Sequence, residues 1–141
     1  MKIKSFSLLE IIFAIAIISI IAIVAIPKLG NNLNKANTIK IKSDILLIRE
    51  GLNRYKNSSI LSNNNTKLES LEDDNELLFN KILSYPIPSS STNKSTHWNK
   101  LSNSKYIVWI DTDTSLEFNY NKSNYTFDCN KKDKNCKEFS Q

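Results

Sequence analysis

The chain has 141 residues, a formal net charge of +5, a pI of about 9.2 and a mean hydropathy of −0.33. It holds one histidine and two cysteines, too few groups for a histidine-based metal cluster, and it carries no nucleotide-binding motif and no internal repeat. The mild basic excess permits an acidic partner without demanding one, because Lys and Asp/Glu are interleaved along the chain.

Residues 6–26, FSLLEIIFAIAIISIIAIVAI, form an almost wholly apolar run whose one charged side chain is Glu10. About twenty such residues suffice to cross a bilayer as a helix. Lys2 and Lys4 precede the run and place that end in the cytoplasm, with the remainder outside. Glu10 is the anomaly. A carboxylate in hydrocarbon costs on the order of 2.5–3.5 kcal/mol on insertion scales, which an ordinary anchor has no reason to carry. Cutting the chain before Phe6 creates an amine one helical turn from Glu10 that could pair with it, within one chain or between neighbours.

Ser5-Phe6-Ser7-Leu8-Leu9-Glu10, then an unbroken apolar helix and Pro27, resembles the processing signature of type IV pilins and type II secretion pseudopilins. The likeness covers residues 1 to about 30 closely and the rest in outline. It implies a five-residue leader, MKIKS, removed by a prepilin peptidase between Ser5 and Phe6, and N-methylation of Phe6. Ser5 stands where the family usually has glycine, and Ser7 where threonine is frequent. Glu10 and Pro27 become assembly residues. The resemblance also implies an inner-membrane subunit with its head in the periplasm, ending in a periplasmic or extracellular filament. Its partners would be identical or related subunits and an inner-membrane assembly platform. A cleavable signal peptide fits less well, since Ile23-Val24-Ala25 is a poor cleavage site.

Past the run, Pro27, Gly30 and the Asn31-Asn32 pair predict a kink or soft spot at 27–32 without a stop. The helix then continues as an amphipathic segment, 33–56, whose stripe Ile41, Ile45, Ile48, Leu52 and Tyr55 steps by four and three. Residues 57–141 form the head. Residues 56–65 read as a loop rich in Asn and Ser. A second helix is predicted at about 67–83, with Leu68, Leu71, Leu78, Phe79, Ile82 and Leu83 as apolar points and Glu69, Glu72, Asp73 and Asp74 early. Tyr85-Pro86-Ile87-Pro88 ends it.

From Lys105 to Cys129 three runs, 106–110, 115–120 and 124–129, alternate and are separated by DTDT and NKS, which predicts an antiparallel meander. Its apolar side is expected to cover the 41–55 stripe, making an α+β head. The aromatics Trp98, Trp109, Phe118, Tyr120 and Phe127 are read as core. Cys129 and Cys136 lie on the outer side in this orientation and read as a disulfide. The expected fold class is therefore α+β and pilin-like: a long helix, membrane-spanning in its first half, on a small antiparallel sheet with a C-terminal disulfide loop.

Catalytic chemistry is poorly supported, and the sequence does not read as an enzyme. His97 stands beside Trp98 with no acid or cysteine partner. Asp111 to Glu117 resembles the start of a calcium loop but lacks its glycine, and Lys122 stands where the closing Glu belongs, so a hairpin turn with Asx bonding is expected and no metal or cofactor. Lys131, Lys132, Lys134 and Lys137 could touch nucleic-acid phosphate, but Asp133 and Glu138 interrupt them and no aromatic is interleaved. The leading expectation is a structural subunit of a secretion or competence pseudopilus. A major or minor type IV pilus subunit is the alternative, and a membrane-anchored periplasmic binding protein represents a different class.

Overall fold

The structure, a computed structural model, describes residues 7–62, 67–74, 76–130 and 132–139, with the side chains of 24–34 not among those described. Two compact units divide the chain, residues 1–35 and 36–141. Helix α1 spans Leu8–Leu61, with its residues up to Lys35 in the first unit and those from Ala36 in the second. Its backbone is helical through 27–32. Among the described residues, no helix is long and apolar enough to cross a membrane. The span expected at 6–26 has both ends outside the described side chains.

Helix α1 starts where the Ser7 carbonyl accepts from the amides of Glu10 (3.0 Å) and Ile11 (3.3 Å). It ends at Leu61, beyond the predicted loop boundary at 56. Asn and Ser cost only a few tenths of a kcal/mol each in a helix, and each residue added to an existing helix gains a hydrogen bond. Ser62 closes the end by donating its hydroxyl to the carbonyl of Ser58 (2.9 Å).

In the second unit, β1 (Leu77–Leu78) pairs with β2 (Ile87–Pro88), and β3 (Trp98–Ser102), β4 (Lys105–Trp109), β5 (Ser115–Asn121) and β6 (Thr126–Cys129) form a four-stranded antiparallel meander in chain order. The register sets Tyr106 opposite Phe118, Phe118 opposite Cys129 and Tyr120 opposite Phe127. Period-two alternation then puts Tyr106, Val108, Leu116, Phe118, Tyr120, Phe127 and Cys129 on one face, all buried. That face covers the α1 stripe Ile41, Ile45, Ile48 and Leu52 in a single core. Polar ties flank it: Trp98 Nε1 donates to Asp44 Oδ2 (3.0 Å), and Arg49 Nε donates to the Phe127 carbonyl (3.1 Å).

Three sequence expectations are corrected here. The sheet begins at Trp98, not near Lys105. β3 is an edge strand with only its first residue buried, so it carries no alternation to detect. Trp109 is only partly buried and lies outside the core cluster, since Tyr106 and Val108 take the inward positions of the strand.

The third correction is the predicted helix at 67–83, where the described residues contain none. Irregular chain runs there instead. Phe79 sits at φ 63°, left-handed backbone that no right-handed helix accepts. The Asp74 carboxylate binds the amides of Glu76 (2.9 Å) and Leu77 (3.0 Å), and the Lys81 amide reaches the Leu71 carbonyl (3.2 Å). The six apolar residues of the predicted face are nonetheless all in the core. The second helix of the fold is a short 3₁₀ turn at Lys134–Glu138.

Cys129 and Cys136 form a disulfide with Cα atoms 5.8 Å apart. It fastens the 3₁₀ turn to the end of β6. Phe139, just beyond, is buried with Lys42 Nζ 5.6 Å from its ring centroid. Lys42 also pairs with Glu138 at 3.6 Å.

Candidate functional site

In the first unit, Leu8, Leu9, Ile11, Ile12, Phe13, Ile15, Ile17, Ile18, Ile20, Ile21 and Ile23 are each at least half exposed. At 3.6 residues per turn these positions occupy every side of the helix. The only polar side chains between residues 8 and 23 are Glu10 and Ser19. Ser19 donates its hydroxyl to the Ile15 carbonyl (2.8 Å), so it is satisfied within its own helix. Glu10 lies in the first turn, where the helix dipole favours an acid by about 0.3–1 kcal/mol. That falls short of the penalty for placing it in hydrocarbon. Ser5 and Phe6 lie outside the described residues, as does the side chain of Pro27.

The head brings together a set of groups that sequence reasoning missed. Glu72 is a buried charged residue. Its carboxylate accepts from Tyr106 Oη on both oxygens (3.0 and 3.1 Å), from Ser70 Oγ (2.8 Å) and from the Phe79 amide (3.4 Å). Lys100 Nζ lies 2.9 Å from Oε1. Burial, and then the Glu72 charge, push the Tyr106 phenol far above its ordinary value of about 10. This carboxylate is paired and hydrogen-bonded, which is what a buried charge requires. Its geometry is that of a clamp between the chain around Ser70 and Phe79 and the sheet. A period-based reading puts Glu72 within the apolar arc of a helix, between Phe79 and Leu83, but names no partner for it.

The other sequence candidates are placed as follows. His97 Nδ1 contacts Ser90 Oγ (2.9 Å) and Thr92 Oγ1 (3.2 Å), which orders the loop before β3. Asp111 Oδ1 accepts from the amides of Asp113 (2.8 Å) and Thr114 (2.7 Å), an Asx turn joining β4 to β5. The first of these bonds is the main cause holding its carboxyl below the usual range. Among the described residues no three His, Cys, Asp or Glu side chains converge to hold a metal. Lys132, Lys134 and Lys137 are exposed on and beside the 3₁₀ turn, and the one aromatic there, Phe139, is buried; Lys131 lies outside the described residues.

An open polar recess of about 540 Å³ lies at the end of the sheet, lined by residues that include Asn103, Asn119, Tyr120, Asn121 and Lys122. Lys122 pairs with Glu69 across it (2.6 Å). In this setting no family model, no curated protein and no solved structure matches the chain.

Proposed function

We propose that this chain is a pilin-like structural subunit. Its apolar N-terminal helix first resides in the inner membrane. During assembly it packs against identical or related helices in a filament, a secretion or competence pseudopilus. The observation that carries this reading is the ring of exposed apolar side chains around residues 8–23. A helix apolar on all sides is stable when it is covered on all sides, by lipid or by other helices. Covering eleven such side chains contributes on the order of 20 kcal/mol. The Glu10 penalty of about 2.5–3.5 kcal/mol is small beside it, so insertion is favoured with the acid in place.

Glu10 then serves as a register device. Removal of residues 1–5, as the resemblance implies, gives Phe6 a free amine, and a subunit seats when its Glu10 carboxylate meets the amine of a neighbour. An unmet charge in a dry core costs several kcal/mol, enough to reject a misplaced subunit. Head-to-tail contacts that do not close produce a helical fibre. The work of extraction from the membrane must come from an ATP-driven partner. The Cys129–Cys136 bond supports a head on the oxidising side of that membrane. The same cystine favours a second reading, a major or minor type IV pilus subunit.

The test is Glu10→Ala and Glu10→Val, followed by membrane fractionation and recovery of sheared filaments. Both variants should insert normally and be depleted from filaments. Normal incorporation of either contradicts the register role.

A further inference from the structure

We propose that the exposed Tyr85 ring of one copy seats in an apolar notch beside Lys42 of the next, a contact between neighbouring heads. The inference deepens the filament reading and rests on it.

Tyr85 is 91% exposed, yet its supports are firm. Ile82 and Leu83, just before it, are in the core. Just after it, Ile87 pairs with Leu78 and Pro88 with Leu77, and the Ser89 amide donates to the Glu76 carbonyl (2.7 Å). Pro86 and Pro88 fix two backbone φ angles of the same stretch. The ring is therefore held out into water by anchored chain. An aromatic presented in this way loses little freedom on binding, and Tyr is enriched among the residues that dominate interfaces.

An open notch of about 100 Å³ lies between α1 and the 3₁₀ turn, lined by Lys42, Ile45, Leu46, Glu138 and Phe139. Ile45 and Phe139 are buried and form its floor, while Leu46, 60% exposed, forms a wall. The Lys42–Glu138 pair stands at the rim (3.6 Å). A closed apolar cavity of about 150 Å³ holds a benzene ring, so an open notch of this size takes most of a phenol ring. The chemistry matches at both ends, with an apolar floor for the ring and a charged rim for the hydroxyl. The Lys42 ammonium, already 5.6 Å from the Phe139 ring centroid, would then meet a second aromatic.

The Tyr85 segment and the notch lie on opposite sides of α1. The chain that carries Tyr85 is tied to one side at both ends: the Ile82 carbonyl lies against Gly51, and Trp98 Nε1 donates to Asp44 (3.0 Å). Asp44 and Gly51 are seven residues apart, within about 20° of one another around the helix. Lys42 is nine residues before Gly51, about 180° away. Copies standing with their α1 helices side by side and in one direction present the Tyr85 flank of one to the notch flank of the next. Such a contact is heterologous and continues along a fibre. A single Tyr buries about 150–250 Å², far below the roughly 800 Å² per partner of a stable interface. The contact therefore acts only where helix packing already holds the copies together.

The experiment uses the full chain in its own cells and scores sheared filaments. Tyr85→Cys with Leu46→Cys in one chain is compared with each single change, after oxidation with copper phenanthroline and non-reducing electrophoresis. The double variant should give a ladder of covalent multimers, because each copy carries both halves of the contact, and the single variants should stay monomeric. Wild-type filaments with no ladder from assembled double variant, or a covalent dimer from Tyr85→Cys alone, overturn the inference and leave the filament reading standing. No wild-type filaments at all would overturn both. Tyr85→Ala and Tyr85→Phe decide the matter if the double variant does not assemble, since an exposed residue tolerates either change. Tyr85→Ala should be depleted from filaments several-fold at an unchanged membrane level, and Tyr85→Phe, which keeps the ring, much less. Normal recovery of Tyr85→Ala, or equal depletion of the two, overturns the inference.

Discussion

The carbonyl oxygen of Ile82 stands 2.6 Å from the point a Cβ on Gly51 would occupy. Helix α1 and the chain after Phe79 approach closely enough there that only a residue without a side chain fits. Glycine in a helix interior is worse than alanine by about 0.8–1.0 kcal/mol, so propensity alone favours Gly51→Ala. The contact predicts the opposite sign. The obstacle is backbone, not the end of a flexible side chain, and overpacking of this kind costs about 1–3 kcal/mol. Urea denaturation should place Gly51→Ala below wild type. A stabilised variant would mean the two backbones part without cost.

Tyr106→Phe removes a hydroxyl bonded to both oxygens of Glu72 and leaves the ring in its aromatic cluster with Phe79, 4.9 Å between centroids. Hydrogen bonds to a charged group are worth about 1.5–3 kcal/mol, and that loss is expected in chemical denaturation. A neutral substitution would show that Lys100 and Ser70 satisfy the carboxylate alone.

Alkaline pH should weaken the head through its tyrosines. Burial pushes the Tyr120 phenol up to about 12, and the hydroxyl donates to the Leu68 carbonyl (2.9 Å). In the unfolded chain it titrates near 10. With the folded value raised, the contribution is fully present below about pH 10 and is lost as pH rises through the folded value, between about 10 and 12. Tyr106 acts in the same direction. Denaturation midpoints compared at pH 9 and 11 should fall less for Tyr120→Phe than for wild type. Equal falls would place the alkaline sensitivity elsewhere.

Replacing both cysteines, Cys129→Ser with Cys136→Ser, opens a short loop whose closure is worth about 2–3 kcal/mol in the chain-entropy account. The 3₁₀ turn and Phe139 should loosen first, seen as faster amide exchange at 134–139 than in the sheet. Unchanged exchange there would show that Lys42 and the core hold the turn without the bond.

Much of the head was legible because its signals are periodic. The stripe Ile41, Ile45, Ile48 and Leu52 is buried as its four–three spacing requires, and the alternation through 115–120 selects the inward face of β5. Asp111 formed the expected Asx turn, and the two cysteines are bonded. At 67–83 the same periodicity identified the buried residues but not the backbone that buries them. A six-point apolar face tells which side chains go inside, whereas Glu72 chose the path by meeting Tyr106 and Lys100, partners about thirty residues away. β3 was missed because one buried residue makes no pattern.

Gly51 carried a weaker signal. A glycine set within an amphipathic stripe has a price in helix stability, which calls for a packing reason, but the sequence names no partner. Ile82 is supplied only by the fold. In the first unit the exposed apolar ring was legible as composition, while the pairing expected of Glu10 involves Phe6, outside the described residues.

The most direct test of the assembly account is the intact mass and N-terminal sequence of the protein isolated from its own cells. The account predicts a chain beginning at Phe6, heavier by one methyl group than residues 6–141. A chain that begins at Met1 with an unmodified terminus would contradict it, because Glu10 would then have no processed amine to meet.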